Sequence, residues 1–279
     1  RYLDERKRLH WVSQCEKRGS VVVSLGNGTR IRLYCDSVLC KNIYFGAFEE
    51  AERKFAKNFL RPGDIYVDVG ANIGLFTVIA ASRVGRLGHV WAFEPCFTTF
   101  TRLFENVALN RLRNVTCFQI ALSDTIGQLD LRVSLDGYDA WNSLAEPYVG
   151  GRYITESVEC TTWDTFAQVH ELVGRVTMMK IDVEGWESRV LRGARETLSR
   201  YDAPVLQVEF TDAAAQCADS SCHALYYILR DYGYQLFTYD STKNEIVPEP
   251  LRESYPYVNI IAAKEPEKVA ARLREGFCR

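Results

Sequence analysis

Four carboxylates close short apolar runs in this chain: Asp68 in "IYVDVG", Glu94 in "HVWAFEP", Asp182 in "MMKIDVEG" and Glu209 in "PVLQVEF". An acid in that position either caps the helix that follows or faces a ligand at the carboxyl edge of a sheet. Between the first two lies Gly70-Ala71-Asn72-Ile73-Gly74, a glycine-bearing turn that opens an apolar helix. Glu94 follows Gly74 by twenty residues, the offset at which an acid accepts hydrogen bonds from both hydroxyls of a ribose. Dinucleotide enzymes use the same device, so the loop has to discriminate.

A dinucleotide fingerprint is G-x-G-x-x-G, and counting from Gly70 puts Asn72 and Leu75 at the other two glycine positions. A side chain at 72 crowds a pyrophosphate, whereas its amide suits an amino-acid carboxylate or amine. Asp68, just before the loop, repels a pyrophosphate and attracts an ammonium. A ligand with a ribose, no phosphate and a zwitterionic tail is S-adenosylmethionine. An NAD-dependent dehydrogenase ranks last on these grounds.

The remaining acids bear on the reaction. A methyl acceptor with a hydroxyl must lose a proton, which calls for a general base or an acidifying metal ion. Asp182 leads as the residue in contact with substrate, cofactor or metal, and Glu209 is expected beside it, so the pair suits a base or a divalent cation. Glu184 is a further candidate, although capping of the next helix explains it as well. His223 opens a later helix and is a candidate base, with a surface or capping role as its plain alternative. Lys180 reads as an ion-pair partner.

These residues need a sheet to hold them. From residue 65 apolar strands alternate with amphipathic helices, the pattern of a mostly parallel sheet covered on both faces. The last two strands, "YQLFTYD" and "YVNIIAAK", are joined without a helix and are expected to form an antiparallel edge pair. Residues 125–162 interrupt the rhythm with Tyr138, Trp141, Tyr148 and Tyr153, an insertion that reads equally as a pocket wall or a surface excursion. Residues 1–62 read as an extension of helix, hairpin and helix packed on a core of residues 63–279. "LGNGTR" supplies the hairpin turn, and Pro62-Gly63 stops the second helix.

The ordered set "DVGANIG" (68–74), "FEP" (93–95), "ALSD" (121–124) and "KIDVEGWE" (180–187) resembles the FkbM family of S-adenosylmethionine-dependent methyltransferases. "GAFEEAE", "LRPGD", "NSL", "TTWDTF" and "VNIIAAK" extend the resemblance over roughly residues 45–264. It implies a Rossmann-like class I fold, a seven-stranded mostly parallel sheet with an antiparallel last strand. It also implies O-methylation of small molecules such as sugars, polyketides and other secondary metabolites. Carried over by motif, Asp68, Gly70, Asn72, Gly74 and Glu94 bind cofactor. Ser123 and Asp124 fall where adenine is read, and Glu49 matches a recurrent acid ahead of the core. Trp186 departs from the smaller residue common there.

Composition narrows the partners. With 34 bases against 36 acids the formal charge is −2, which gives no global reason to expect nucleic acid. No apolar run approaches a membrane span. Nine cysteines without a CxxC read as reduced thiols of a cytoplasmic protein, and the Cys217, Cys222, His223 spacing fits no common zinc site. The competing readings are a methyltransferase for nucleic acid or protein, and a non-catalytic S-adenosylmethionine-binding module. The segment after the fourth core strand, Asp182-Val183-Glu184-Gly185, lacks the Asn/Asp-Pro-Pro-Tyr/Phe pattern of base methylation. Oligomeric state is left open.

Overall fold

The computed structural model describes residues 2–26, 28–147 and 150–277. Asn27 of the hairpin turn, Tyr148 of the aromatic insertion and Cys278 lie outside the described residues. The chain opens with helix Tyr2–Arg18 and the antiparallel hairpin of β1 (Ser20–Gly26) and β2 (Thr29–Tyr34). The expected helix follows at Glu50–Phe59, with Glu50 and Glu52 in its first turn and Lys57 in its last, as the macrodipole favours. A further helix, Val38–Phe45, precedes it. Its local signals are Ser37, whose hydroxyl accepts from the Cys40 amide, and Gly46, which ends it at φ 81°.

The strands that follow are β3 (Ile65–Val69), β4 (His89–Phe93), β5 (Val115–Phe118), β6 (Ala121–Leu122), β7 (Gly127–Ser134) and β8 (Tyr153–Thr161). After them come β9 (Met178–Ile181), β10 (Val205–Phe210), β11 (Gln235–Asp240), β12 (Glu245–Pro248) and β13 (Val258–Ala263). The main sheet runs β12-β11-β13-β10-β9-β3-β4-β5. The strands from β10 to β5 are mutually parallel, and β13 is antiparallel to both β10 and β11.

Seven of these strands give the expected class I order with its antiparallel last strand. The eighth corrects the count. The Asp240 carboxylate accepts from the Thr242 and Lys243 amides and turns the chain so that β12 pairs with β11. The edge therefore belongs to β12, largely exposed and ending in Pro248, while the expected antiparallel pair of β11 and β13 forms one strand in from it, with β13 between β10 and β11.

Helices bury their apolar faces on both sides of the sheet. Trp163, Phe166, Val190, Leu191 and Leu229 pack on one face, and Phe55, Phe59, Val84 and Leu273 on the other. A third cluster joins Trp11, Ile31, Leu33 and Ile43 to Ile73, Leu75 and Phe76. The N-terminal elements thus cover the start of the helix that leaves the glycine loop, Leu75–Val84.

Two local differences position the site. "VTCFQIAL", read as one strand, divides at Gln119-Ile120 into β5 and β6 because β6 leaves the main sheet to pair with β8. The insertion is a small sheet of order β6-β8-β7, and its connection carries a short turn of 3-10 helix at Asp139–Trp141. The expectation of mostly reduced thiols holds for the six free cysteines among the described residues, and one pair departs from it. Helix Tyr2–Arg18 lies on the hairpin, brings Cys15 and Cys35 to a Cα separation of 5.4 Å, and the two form a disulfide.

Candidate active site

The register of four adjacent strands sets the site. Asp68 on β3 pairs with Lys180 on β9, Lys180 with Gln207 on β10, and Glu209 with Asn259 on β13. Because side chains alternate along a strand, these positions share one sheet face near its carboxyl edge. All five are buried. A cavity of about 370 Å³ opens over this row and extends to the glycine loop, Glu94 and the 3-10 turn of the insertion.

The loop is built by close approach. A Cβ at Gly70 (φ 80°) would meet the Asp182 carbonyl oxygen at 1.8 Å, and one at Gly74 (φ 87°) would meet the Leu103 side chain at 2.6 Å. Asn72 also has positive φ, 49°, a conformation asparagine tolerates better than most residues. Its Oδ1 accepts from the Ile73 amide at 2.7 Å, and its Nδ2 donates to the Asp139 carbonyl at 3.1 Å. Nδ2 thus ties the loop to the insertion, and Asn72 also lines the cavity.

Glu94 is held from three sides. Its Oε1 accepts from the Cys96 amide at 3.0 Å and the Thr99 hydroxyl at 2.7 Å, and its Oε2 from the Asn72 amide at 2.9 Å. Burial pushes its pKa up to about 7 against the pull of these bonds. With two acceptor positions per oxygen, one position on Oε2 remains.

Asp68 is fully buried. Its Oδ2 accepts from the Thr77 hydroxyl at 2.5 Å, while Oδ1 has no hydrogen-bond partner. Burial raises its pKa, opposed by the Lys180 ammonium. Lys180 Nζ lies 4.7 Å from the centre of the Phe76 ring and donates to Asp182. Burial alone would discharge this lysine, but Asp182, Glu49 and Asp68 together hold its pKa above the usual value.

Asp182, Glu184 and Glu209 converge, with one oxygen of each within 4.8 Å of the others. Burial works to raise the pKa of Asp182, and the Lys180 ammonium with the bond from Glu209 outweighs it and keeps the group low. Glu209 moves the other way, raised well above the ordinary range by burial and by the neighbouring charges of Glu184 and Asp182. The two acids are thus pushed in opposite directions, Asp182 toward its ionised form and Glu209 toward its protonated form.

The helix after Glu184, Glu187–Arg192, has no side-chain cap, and Glu187 Oε1 accepts from the Val183 and Gly185 amides of the preceding loop at 2.9 and 3.3 Å. Glu184, at φ 52°, presents its carbonyl to the Ser143 hydroxyl at 2.6 Å, a second tie to the insertion. Glu49 lines the cavity too, beside Lys180 and Tyr257.

Three expected residues stand elsewhere. Neither Ser123 nor Asp124 lines the cavity. Ser123 accepts from the Trp186 indole at 3.1 Å and Asp124 pairs with Arg189 at 3.1 Å, so the wall there is Ile120, Ala121 and Leu122. His223 is exposed and lies 2.8 Å from the Arg252 carbonyl oxygen, away from the cavity. Among the described residues, the cysteines and His223 form no metal-ligating group.

The insertion lines the cavity with Tyr138 and Trp141, stacked at 4.7 Å, and Val38, Leu39 and Ile43 of the unanticipated helix form the facing wall. Asp139 locks these parts together. It accepts from the Ser37 hydroxyl at 2.7 Å and pairs with Arg102 at 3.4 Å.

Residues 68–236, more than half of the chain, match the Methyltransferase FkbM domain. The chain belongs to that family. The match bears out the resemblance carried by the motifs, that of an S-adenosylmethionine-dependent methyltransferase. It is 28% identical over 204 residues to the 31-O-demethyl-FK506 methyltransferase FkbM of Streptomyces tacrolimicus, covering 63% of this chain and 74% of that one. It is 27% identical over 156 residues to the hexuronic acid methyltransferase AglP of Haloferax volcanii, covering 52% of this chain and 56% of that one. The chain therefore spans little more than half the length of the second relative. A solved FkbM methyltransferase from Methylobacillus flagellatus KT aligns at a TM-score of 0.42 with 17% identity, over 80% of this chain and 54% of its own. At that score the FkbM-like fold rests on the strand order described above. Among the described residues no helix is long and apolar enough to cross a membrane.

Proposed function

We propose that the family member described here transfers the methyl group of S-adenosylmethionine to a hydroxyl of a small molecule, a sugar, polyketide or other secondary metabolite. The observation that carries this reading is the single cavity joining the glycine loop and Glu94 to the acid row. The residues fit the cofactor. Asp68 Oδ1 is a buried carboxylate oxygen without a hydrogen-bond partner on a residue that lines the cavity. Unpartnered anionic oxygens favour a ligand bearing an ammonium and a sulfonium. The open acceptor position on Glu94 takes a ribose hydroxyl, and Gly70 and Gly74 keep the loop backbone close.

When bound, the cofactor supplies an electrophilic methyl group, so the protein's main work is to align an acceptor oxygen in line with it. Asp182 and Glu209, which line the cavity, are the polar groups that position the acceptor around that oxygen. The names of the relatives, one a 31-O-demethyl compound and one a hexuronic acid, support an oxygen-bearing acceptor.

A divalent cation at Asp182, Glu184 and Glu209 fits less well. The Lys180 ammonium already lies 2.5 Å from Asp182 Oδ2, so a metal ion there would sit beside a buried positive charge.

The test is calorimetric titration with S-adenosylmethionine, followed by S-adenosylhomocysteine release against sugar, polyketide, peptide and nucleic-acid hydroxyls with and without EDTA. Binding plus EDTA-insensitive release with one small-molecule class is expected. Binding without release from any acceptor favours a non-catalytic module, and absence of binding removes the reading.

A further inference from the structure

Glu49 is the acid that the account above leaves without a task. It precedes helix Glu50–Phe59 at the N-cap position, where a carboxylate normally accepts from the helix amides, yet its side chain makes no capping bond. Its backbone sits at φ 43° and ψ 48°, a left-handed conformation that residues other than glycine rarely adopt. Strain of this kind persists where surrounding contacts enforce it, and it is enriched at functional positions. Here it turns the side chain away from the helix and into the wall of the cavity.

There the Tyr257 hydroxyl donates to Glu49 Oε1 at 3.0 Å. Asn259 Nδ2, just inside β13, donates to the same oxygen at 3.5 Å and to the Tyr257 hydroxyl at 3.3 Å. Glu49 Oε2 is shut away from solvent and has no partner. An ionised carboxylate with one unsatisfied, dehydrated oxygen is a strong base for its type. Tyr257, in contrast, lines the cavity while 52% exposed, so its hydroxyl connects Glu49 to whatever enters.

From this geometry we infer that Tyr257 and Glu49 form a proton-accepting relay for the acceptor hydroxyl. The inference rests on the methyltransferase reading and assigns the proton's route within it. As the acceptor oxygen bonds to the methyl carbon, the carbon–sulfur bond breaks and its electron pair stays on sulfur. The acceptor's proton passes to Tyr257 Oη while the phenol's own proton passes to Glu49 Oε1. Tyr257 begins and ends neutral, and Glu49 ends as a carboxylic acid that releases its proton to water after the product leaves. Asn259 is a positioning residue that holds both oxygens.

The other carboxylates are less suited. Asp182 is paired with Lys180, and burial with the neighbouring acids pushes Glu209 toward its protonated form. Burial pushes Glu49 up to about 7, with Lys180 pulling it down and Asp182 and Glu52 pushing it up, while the Tyr257 hydrogen bond lowers it. A base in that range is half available at neutral pH and matched to the task.

The test uses Glu49→Gln, Tyr257→Phe and the double variant in the full chain. S-adenosylmethionine affinity by calorimetry is expected to stay within about threefold, and melting temperature to hold. With the acceptor turned over fastest by the wild type, each single change is expected to cut S-adenosylhomocysteine release about a hundredfold. The double variant is expected to fall no further, since two members of one relay are not additive. Independently of any acceptor, carboxyl-labelled glutamate should give one NMR signal titrating near pH 7 that Glu49→Gln removes.

Wild-type turnover in either single variant overturns the relay, as does a Glu49 signal that stays ionised down to about pH 4. A large loss of cofactor affinity in Glu49→Gln reassigns the residue to binding and likewise overturns it. Failure of the wild type to bind S-adenosylmethionine is a different result and removes the underlying methyltransferase reading.

Discussion

Lys180 Nζ and Asp182 Oδ2 lie 2.5 Å apart at the carboxyl end of β9, with the lysine 4% and the aspartate 17% exposed. The pair is not isolated. Lys180 faces Asp68 across the β3 register and also answers the charge of Glu49. One ammonium therefore balances three buried or partly buried acids from β3, β9 and the segment before helix Glu50–Phe59. This balance lets an acid-rich cavity exist in the folded chain before any cationic ligand arrives.

Removing the cation should expose that dependence. Lys180→Met keeps the volume and the apolar stem but leaves the acids facing one another without compensation. Breaking one side of a buried pair costs about 3–5 kcal/mol. Urea denaturation should show a loss of that size, and Lys180→Arg should recover part of it. A Lys180→Met chain as stable as the wild type would show that the acids are neutralised by protonation instead.

Glu94 ties the stability of the fold to pH. Burial raises it to about 7, and Glu187, buried beneath the next loop, is likewise raised to about 7. An unfolded glutamate titrates near 4.3. Between these values the folded chain holds protons that the unfolded chain releases, so stability falls as pH rises through that window. The ligand-free protein should be more stable at pH 5.5 than at pH 8 by on the order of 1–3 kcal/mol, measured by denaturant titration. Glu187→Gln should flatten the slope. Separately, Glu94→Ala should weaken S-adenosylmethionine binding at least about tenfold in a folded variant, because a charged acceptor for the ribose is lost.

Much of this was legible in the sequence because local signals and global fold agree. The strand-end acids, the Gly70 and Gly74 turn and the alternation of strand and helix each point to one sheet, and the register gathers Asp68, Asp182 and Glu209 as expected. What escaped notice depends on packing between distant segments. Nothing local marks Val38–Phe45 as a cavity wall, or shows that Gln119-Ile120 breaks a strand so that Ile120, Ala121 and Leu122 can face the cavity. The Cys15–Cys35 bond required knowing that the first helix lies on the hairpin. Asp124 shows the same dependence: it lies outside the cavity lining, where Arg189, sixty-five residues away, pairs with its carboxylate.

The disulfide has its own consequence. It closes a loop with a sequence separation of 20 residues, for which chain-entropy arguments give about 3 kcal/mol. Such bonds persist in oxidising surroundings, which weighs against the reduced cytoplasmic state expected from cysteine spacing alone. Reduction with dithiothreitol, or Cys15→Ser with Cys35→Ser, should lower the melting temperature and speed proteolysis within residues 2–35. Mass spectrometry of the untreated protein should find the Cys15–Cys35 cross-link. Two free thiols under non-reducing conditions would count against it.

Cys35 also stands just before Asp36 and Ser37, and this corner meets the roof of the cavity. Arg102 donates to Asp36 at 2.5 Å and reaches Asp139 at 3.4 Å, while the Ser37 hydroxyl donates to Asp139 at 2.7 Å. The Gly137 carbonyl accepts from the Val38 amide at 2.9 Å, and the Asp139 carbonyl accepts from Asn72. Asp139 thus connects the insertion, the N-terminal corner and the cofactor loop through one side chain and one carbonyl. Asp139→Ala removes the side-chain half and leaves Ser37 and Arg102 without that partner, at about 1–3 kcal/mol for an unsatisfied buried group. The roof should loosen while the sheet stays intact. The expected result is faster amide exchange confined to residues 135–145 and 36–46, with S-adenosylmethionine affinity reduced about tenfold. Bound ligand should suppress much of the added exchange, because a closed roof is part of what the ligand stabilises. Unchanged exchange and affinity would mean that the Asn72 and Ser143 ties alone hold the roof in place.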